Sequence, residues 1–213
     1  MPEAKNIGPL GRVRTALLII DMQNSYIDEK GALGRMKRNW KSLREALPGC
    51  ERLLAGARNA GVTVIHAKYV FQPDYSDGGV LIREIRPALK EFGLCQAGTW
   101  DAEIVPSLAP IAGEKVVEKN RPSAFYSTQL ESFLRAERIE NVVVCGVTTN
   151  MCVESTVRDA SQRDFRTYVV GDACGEMEQD RHDAALVSMG FLFARVVGVN
   201  DVLDAWDVAL ANA

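Results

Sequence analysis

The stretch VVVCGVTTNMCVESTVRDA, residues 142–160, indicates the fold class of this chain most directly. It begins with a run of β-branched apolar residues, passes through a tight turn, and continues with apolar residues at helical spacing. A buried strand followed at once by a helix is typical of parallel sheets, because parallel neighbours need a long crossover connection. We therefore predict a strand over 141–147 and a helix from about Thr149 to Arg163.

The same alternation of strand and helix patterns continues on both sides of this stretch. Near-continuous apolar strands separated by amphipathic helices favour a three-layer α/β/α fold with a six-stranded, mostly parallel, Rossmann-like sheet. In such folds the functional site lies beyond the carboxyl ends of the strands. The five other predicted strands cover 15–21, 62–69, 114–119, 167–173 and 193–198.

The helices between these strands have recognisable ends. One is predicted over 42–61, with an interruption near Pro48 and a C-cap at Gly61. Another is predicted over 127–138, with a Ser or Thr cap and Glu131 in its first turn. The remaining helices are predicted at 179–190 and from about Asn200 or Asp201 onward.

Length and composition limit the possible functions. The 213 residues suit one domain, 1–213, with residues 1–14 as an N-terminal extension. The formal net charge of −3 gives no electrostatic reason to expect nucleic acid or membrane as a partner. The longest apolar run, Ala16–Ile20, is too short to cross a bilayer, and the N-terminus lacks the apolar core of a secretory signal, so we expect a cytoplasmic protein.

The cysteines do not suggest a disulfide framework. Their number is odd, no CxxC motif occurs, and no secretory signal is recognised. A free cysteine is most often a small buried apolar residue. Chemistry at any one of them therefore has to be argued from its surroundings; the five are Cys50, Cys95, Cys145, Cys152 and Cys174.

Three of the reactive side chains follow predicted strand ends. Asp21 ends the first strand, Lys119 ends the third, and Cys152 opens the helix after the fourth. Each alone has an ordinary explanation: a turn-forming Asp, a solvated Lys, a packed Cys. Because the carboxyl ends of parallel strands lie at one edge of a sheet, we expect the three to converge.

Together these groups fit nucleophilic catalysis. A helix N-terminus and a nearby ammonium would lower the pKa of the Cys152 thiol from about 8.5 toward neutrality. Asp21 could take the thiol proton and pass it to a leaving nitrogen, while Lys119 holds the carboxylate in place. The GVTTN turn before Cys152 could direct backbone N–H groups at a developing oxyanion.

At these residues the chain resembles the isochorismatase-like family of cysteine hydrolases. The resemblance spans about Thr15 to Val202 and is carried by LLIIDMQNSYID, GTWDAEIVPSL, VVEKNRPSAFYSTQLESFLR and VVVCGVTTNMCVESTVRDA. It implies an Asp–Lys–Cys triad at Asp21, Lys119 and Cys152 and a covalent acyl-enzyme that water hydrolyses.

The resemblance has further structural implications. It implies a non-proline cis peptide between Val147 and Thr148, with the N–H groups of Thr148 and Cys152 as the oxyanion hole. It implies no cofactor. Family members are commonly dimers or tetramers, so a homodimer or homotetramer is expected.

Within that family, nicotinamidases carry an Asp/His metal site after the second strand. Here His66 lies inside that strand and the next histidine is His182, so we expect no catalytic metal. His66 is interpreted as a satisfied sheet residue. His182 is interpreted as a hydrogen-bonding group between helices.

The motifs leave several substrates open. The cysteine favours amide chemistry over vinyl-ether cleavage, and the GTWD and CVEST blocks resemble the ureidoacrylate, biuret and N-carbamoyl amidohydrolase branches. The predicted substrate is therefore a small carbamoyl or ureido compound. A nicotinamide-like or maleamate-like amide is the first alternative, and a non-catalytic binding protein on the same fold is the second.

Substrate contacts are expected from residues that follow strand ends or flank the cysteine. Aromatic rings there would suit a small planar amide, although each ring could instead complete the core. Arg83, Arg86 and Lys68 could bind a substrate carboxylate, or could simply be solvated. The segment 72–98 is turn-rich and irregular, as lids often are. The candidate substrate-binding residues are Asn24, Tyr26, Tyr69, Phe71, Phe125 and Thr149.

Overall fold

The computed structural model describes residues 8–211, so part of the expected extension, residues 1–7, lies outside the described residues. Six strands form one sheet in the order β3-β2-β1-β4-β5-β6, and every pair of neighbouring strands is parallel. This confirms the predicted sheet. The strands are β1 (Thr15–Ile20), β2 (Thr63–Tyr69), β3 (Lys115–Lys119), β4 (Asn141–Val147), β5 (Arg166–Gly175) and β6 (Arg195–Val197).

Helices connect these strands and cover the sheet, as the right-handed crossovers of parallel strands require. In chain order they are α1 (Asn24–Ile27), α2 (Ala32–Arg35), α3 (Trp40–Arg44), α4 (Leu47–Ala60), α5 (Ala88–Glu91), α6 (Leu130–Ala136), α7 (Glu154–Ser161), α8 (Gln179–Leu192) and α9 (Val199–Ala211).

The predicted interruption near Pro48 is confirmed, and one helix start differs from the prediction. Between α3 and α4 the helix is broken at residues 45–46, and Pro48 lies in the first turn of α4, where its missing N–H costs nothing. The helix predicted to begin at Ser127 begins three residues later, because Ser127 adopts a left-handed φ of 53° and Thr128 accepts the Leu130 N–H instead. The predicted cap at Gly61 is confirmed, with φ 68°.

The pairing of β4 with β5 shifts register between Val144 and Gly146, and the extra residues lie on β5. Gly146 has φ 114°, and a Cβ there would lie 2.1 Å from the Ile20 carbonyl oxygen. Only glycine allows this backbone and this close approach to β1. Gly146 is also the register partner of Ile20, so the ends of β4 and β1 lie side by side.

The core surrounds the central strands. β1 and β4 are buried along their whole length, as expected for strands covered by helices on both faces. The irregular segment 72–98 holds α5 and two short turns of helix, Ser76–Gly78 and Leu81–Ile85. Within residues 8–211, no helix combines the length and apolar character needed to cross a membrane.

Candidate active site

A buried ion pair lies at the carboxyl edge of the sheet. Lys119 Nζ donates to Asp21 Oδ2 over 2.7 Å, and neither side chain has exposed surface. Lys119 is the last residue of β3, and Asp21 directly follows β1. Because β2 lies between these two strands, the long lysine side chain reaches across the end of β2. The Lys119 ammonium also lies 4.2 Å from the centre of the Tyr69 ring at the end of β2, a cation–π contact.

The backbone at Asp21 explains how its carboxyl group reaches this position. Asp21 has φ 51°, in the left-handed region that aspartate tolerates better than most residues. Its N–H donates to the Ala67 carbonyl at 2.9 Å, which continues the β1–β2 ladder by one residue. The chain therefore turns sharply while the carboxyl group stays at the sheet edge.

Burial and charge set the pKa values of the pair. Burial raises the pKa of Asp21, and the Lys119 ammonium counteracts this only in part. Burial acts to lower the pKa of Lys119, but the attraction of Asp21 and Cys152 outweighs it and the pKa is raised. Lys119 is therefore a stable cation, and Asp21 is a better proton acceptor than an ordinary carboxylate.

Cys152 lies beside this pair, in the segment between β4 and α7. Residues 149–153 form one π-helical turn rather than the α-helix predicted there, and α7 begins only at Glu154. We call residues 148–153 the cysteine turn. The peptide bond between Val147 and Thr148 is cis, as the family resemblance implied. The Thr148 carbonyl accepts the N–H groups of Met151 and Val153.

The thiol contacts both members of the ion pair. The charges of Lys119 and Asp21 both act on the pKa of the thiol. Asp21 Oδ1 has no hydrogen bond of good geometry among the described residues. The thiol therefore approaches the carboxylate without an aligned hydrogen bond. Cys152 and Cys174 are each 7% exposed, whereas Cys50, Cys95 and Cys145 are fully buried.

The expectation of a lowered thiol pKa is wrong. Burial raises the pKa of Cys152, Lys119 offsets burial only in part, and Asp21 adds to the increase. The expected value took account of the Lys119 charge, but not of the free energy needed to bury a second negative charge beside Asp21. Cys152 therefore rests as a neutral thiol, and its proton has to leave during attack.

Gln23 connects the ends of β1 and β2. Its side-chain amide donates to the Tyr69 carbonyl at 2.8 Å and accepts the Tyr69 N–H at 2.7 Å. It also donates to the Ala102 carbonyl at 2.9 Å. The sequence reasoning missed this residue, although its position two residues after Asp21 was a usable signal.

Asp101, in the GTWD motif, forms hydrogen bonds with α1 and α2. This buried carboxylate accepts Ser25 Oγ at 2.9 Å, the Ala32 N–H at 2.8 Å and Arg35 Nη1 at 3.0 Å. Ser25 in turn accepts the Cys95 N–H at 2.9 Å, which ties α1 to the irregular segment. The GTWD motif therefore has a structural role through its Asp.

Two of the four predicted aromatic contacts lie near the triad. Tyr69 touches Lys119, and its hydroxyl donates to the Asn120 carbonyl at 3.1 Å. Burial raises the pKa of Tyr26, and the nearby groups that raise it further include Asp21 and Cys152.

The other two predicted aromatics pack against neighbouring rings, and their assignment as substrate contacts stays a prediction. Phe71 is fully buried behind Tyr69, with ring centres 5.0 Å apart. Phe125 packs against Phe165 at 6.1 Å and under the Arg163 guanidinium at 5.0 Å, beside the start of β5. An apolar ring near a strand end completes the core unless a polar group requires it elsewhere.

The polar candidates differ in whether their side chains already have a hydrogen-bond partner. The Asn24 amide is committed to the Trp100 carbonyl at 2.8 Å, and the Thr149 hydroxyl to His182 Nδ1 at 2.9 Å. Thr148 Oγ1 is buried without a hydrogen-bond partner in the described part of the chain. Thr148 is therefore the polar candidate whose side chain is still available to a bound molecule.

The predicted carboxylate-binding cations are paired or exposed. Lys68 pairs with Glu118 at 2.9 Å, and Arg83 and Arg86 are exposed on the irregular segment. Arg121, which the sequence reasoning did not consider, lies near the Tyr69 hydroxyl. Its Nη1 donates to the Asn120 carbonyl at 2.6 Å, the same oxygen that accepts the Tyr69 hydroxyl.

His66 is itself buried and belongs to a second, partly exposed cluster. Its Nε2 lies 3.0 Å from Glu114 Oε2, and Glu114 also accepts Arg58 Nε at 2.7 Å. Burial lowers the pKa of His66, which favours the neutral imidazole. Among residues 8–206 there is no group of three His, Cys, Asp or Glu side chains that could hold a metal ion.

Comparison with known proteins identifies relatives of the whole fold. A sequence model described as the Isochorismatase domain matches residues 15–201. A ureidoacrylate amidohydrolase, RutB, of Cronobacter sakazakii is 31% identical over 216 residues, covering 96% of this chain and 92% of the relative. The Methylorubrum extorquens (strain AM1) protein of the same name is 34% identical over 171 residues, covering 75% and 68%.

Solved structures give the same picture. A cysteine hydrolase from Pseudomonas syringae pv. phaseolicola superposes with a TM-score of 0.87 at 28% identity, covering 95% of this chain and 96% of that one. N-carbamoylsarcosine amidase from Thermoplasma acidophilum superposes with a TM-score of 0.70 at 26% identity, covering 87% and 96%.

Proposed function

The chain belongs to the isochorismatase family of hydrolases, and from that premise we propose that it is a cysteine-dependent amidohydrolase. Its substrate is a small carbamoyl or ureido compound, and Cys152 forms a covalent acyl-enzyme. The observation that carries this proposal is the buried Lys119–Asp21 pair with a thiol beside it and a carboxylate oxygen left unpartnered within residues 8–206.

In the proposed acylation step, Cys152 Sγ attacks the substrate carbonyl carbon as Asp21 takes the thiol proton. The carbonyl oxygen becomes an oxyanion, bound by the N–H groups of Thr148 and Cys152. Asp21 then returns the proton to the nitrogen, the C–N bond breaks, and ammonia or an amine leaves. Each oxyanion donor contributes about 3–4 kcal/mol in other acyl-transfer enzymes.

In the proposed hydrolysis step, water attacks the thioester carbon and Asp21 takes its proton. The second oxyanion collapses, the C–S bond breaks, and the proton on Asp21 passes to the departing sulfur. Lys119 stays protonated throughout and keeps the carboxylate oriented. The cycle restores a neutral thiol beside an ionised Asp21, the resting state that the raised pKa of Cys152 favours.

Unpartnered buried oxygens support a substrate rich in N–H groups. Asp21 Oδ1, Thr148 Oγ1 and Asn150 Oδ1 are buried and have no hydrogen-bond partner among the described residues. A buried acceptor without a donor costs about 1–3 kcal/mol, so a ligand that supplies donors gains binding energy. A terminal carbamoyl group offers two N–H donors on one nitrogen, and a ureide adds a third.

Arg121 supports an acid-bearing member of this class. Its Nη1 is bonded to the carbonyls of Asn120 and Asp77, and no carboxylate within residues 8–206 forms an ion pair with it. The name of the RutB relatives describes a substrate that has both a ureido group and a carboxylate. A ureido acid is therefore our first candidate substrate.

Ammonia release from a substrate panel tests the proposal. The panel contains ureido acids, neutral ureides, N-carbamoyl amino acids, nicotinamide and maleamate, each with wild type and Cys152→Ala. We expect the highest kcat/KM on a ureido acid or N-carbamoyl compound. Preference for nicotinamide or maleamate would replace the substrate class, and no turnover of any amide would favour a binding protein.

We also propose that the protein is a homo-oligomer. Three apolar side chains of α8 face solvent in the single chain, with Val187 74%, Phe191 89% and Leu192 71% exposed. Apolar groups clustered in this way usually mark an interface. Light scattering on wild type and Phe191→Asp tests this: we expect wild type above the monomer mass of 23.4 kDa and the variant shifted toward it.

A further inference from the structure

The cysteine turn is held from one side by two side chains that the proposed chemistry does not use. Glu176 is the residue directly after β5, and His182 lies in the first turn of α8. Because Val147 and Gly175 are register partners, the end of β5 places Glu176 next to the start of the cysteine turn. We refer to Glu176 and His182 as the turn clamp.

Glu176 supplies an acceptor that the turn needs. Its Oε2 accepts the Asn150 N–H at 3.3 Å, and its Oε1 accepts the N–H of Met177 at 2.9 Å. N–H groups in the first turn of a helix have no carbonyl partner within the helix. The Glu176 side chain has no exposed surface, so this bond is shielded from water.

His182 holds the neighbouring residue. Its Nδ1 lies 2.9 Å from Thr149 Oγ1, and Thr149 is fully buried. The two clamp residues therefore bind consecutive residues of the turn, one through a backbone N–H and one through a side chain. Between them they fix the segment that joins the Thr148 N–H to Cys152.

We propose that Glu176 and His182 are positioning residues that hold the cysteine turn in the shape its oxyanion donors and nucleophile require. Neither touches the reacting atoms, and the inference rests on the proposed function. A π-helical turn carries fewer internal hydrogen bonds than an α-helix of the same length, so external bonds decide its shape. Displacement of a catalytic group by about 1 Å can cost about 100-fold in rate.

Paired substitutions test the clamp. Glu176→Ala removes the acceptor, whereas Glu176→Gln keeps an oxygen that can accept the Asn150 N–H. His182→Leu removes the ring nitrogens, whereas His182→Asn keeps a polar atom near the position of Nδ1. Asp183→Ala is the matched control, because Asp183 is exposed on α8 and bonds Gln179.

The proposal predicts a lower kcat with little change in KM. Glu176→Ala lowers kcat on the best ureide about 10- to 100-fold with KM within about threefold of wild type. Glu176→Gln and His182→Asn recover most of the loss of their partner variants. The double variant Glu176→Ala/His182→Leu loses less than the product of the single losses, because both act on one turn. Unchanged kcat in both removal variants would overturn the proposal.

Hydrogen exchange gives a readout that needs no substrate. Mass spectrometry on peptides covering 146–154 should show faster exchange in Glu176→Ala than in wild type or Asp183→Ala. If wild type hydrolyses no amide, the proposed function fails, while faster exchange still supports the clamp and equal exchange overturns it. If Glu176→Ala does not fold, His182→Leu against His182→Asn gives the same test from the Thr149 side.

Discussion

Two clusters of this protein pair a carboxylate with a cation: one is partly exposed and one is fully buried, and they also differ in the hydrogen bonds that the carboxylate accepts. Glu114 binds Arg58 through both oxygens at 2.7 and 3.0 Å, His66 at 3.0 Å and the Ile111 N–H at 3.0 Å. Asp21 binds Lys119 through one oxygen, and its other oxygen has no aligned hydrogen bond within the described residues, although the Cys152 thiol lies beside the carboxylate.

The pKa values follow this difference. Burial acts to raise the pKa of Glu114, but the hydrogen bonds from Arg58, the Ile111 N–H and His66 lower the value to about 2. Burial raises the pKa of Asp21, and one cation does not reverse it. An ion pair is therefore no sign of catalysis in itself, and a fully buried carboxylate with an unsatisfied oxygen next to a nucleophile is the better indicator.

The largest expected effect comes from removing the nucleophile. Cys152→Ala should lower kcat at least about 10⁴-fold and leave the unfolding free energy close to wild type, since a small side chain is easily packed there. Steady-state ammonia release and urea unfolding measure the two effects. Cys95→Ala is the control, because Cys95 is a fully buried thiol near the same ion pair. Substantial turnover by Cys152→Ala would remove the sulfur from the mechanism.

Removing one cation from each cluster tests the comparison directly. Lys119→Met should lower kcat about 10²–10⁴-fold, since the proton acceptor loses its orientation. Arg58→Met should leave kcat within about twofold and lower the unfolding free energy by about 1–2 kcal/mol, as expected for lost charge-assisted hydrogen bonds on a partly exposed residue. Equal losses of kcat in the two variants would mean that the clusters do not differ in function.

The pH–rate profile should report the raised pKa of Asp21. The carboxylate form is required, so kcat/KM should fall about tenfold per pH unit below an acid limb that lies above the ordinary value of 3.8. Because burial raises the pKa of Cys152 above 9.0, no further rise through pH 8–9 is expected. A rate that climbs through that range would indicate attack by a preformed thiolate.

The smallest effect is the pH dependence of stability at the His66 cluster. Burial lowers the pKa of His66 below 6.5, so the unfolded chain binds more protons as the pH falls and the unfolding free energy decreases. The slope cannot exceed about 1.4 kcal/mol per pH unit for one proton. The pKa of Asp21 is raised in the folded protein, so at lower pH this group acts in the opposite direction and increases the unfolding free energy as the pH falls.

A difference measurement isolates the histidine. The unfolding free energy of wild type minus that of His66→Gln should decrease between pH 7 and pH 5, while the Asp21 contribution cancels. Chemical denaturation at several pH values gives both curves. A difference that stays constant with pH would show that His66 titrates in the folded protein as it does in the unfolded chain.

The sequence was sufficient for the sheet because the central strands are local apolar runs that alternate with helical patterns. β1 and β4 are buried on both faces, and their composition shows it. Helix starts were less predictable: whether Ser127 or Thr128 accepts the first helical N–H depends on the left-handed φ that Ser127 adopts. A residue's neighbours in the chain do not determine that choice.

For the site, the positions of the residues along the chain predicted which groups lie together. They did not predict the protonation state of those groups. Strand ends placed Asp21 and Lys119 at one edge, and the structure joins them at 2.7 Å. The thiol pKa could not be inferred, because it depends on how completely three groups are buried together. Gln23 and Glu176 were missed for a related reason: their partners lie at Tyr69 and Asn150, far away in sequence.

Rapid-quench mass spectrometry on the working enzyme tests the central proposal most directly. Wild type mixed with its best ureide should show, within one turnover, a mass increase equal to the acyl or carbamoyl group, located on the peptide that contains Cys152. The adduct should decay at a rate consistent with kcat and should be absent in Cys152→Ala. Turnover by wild type without any adduct on Cys152, or with the adduct on another residue, would contradict it.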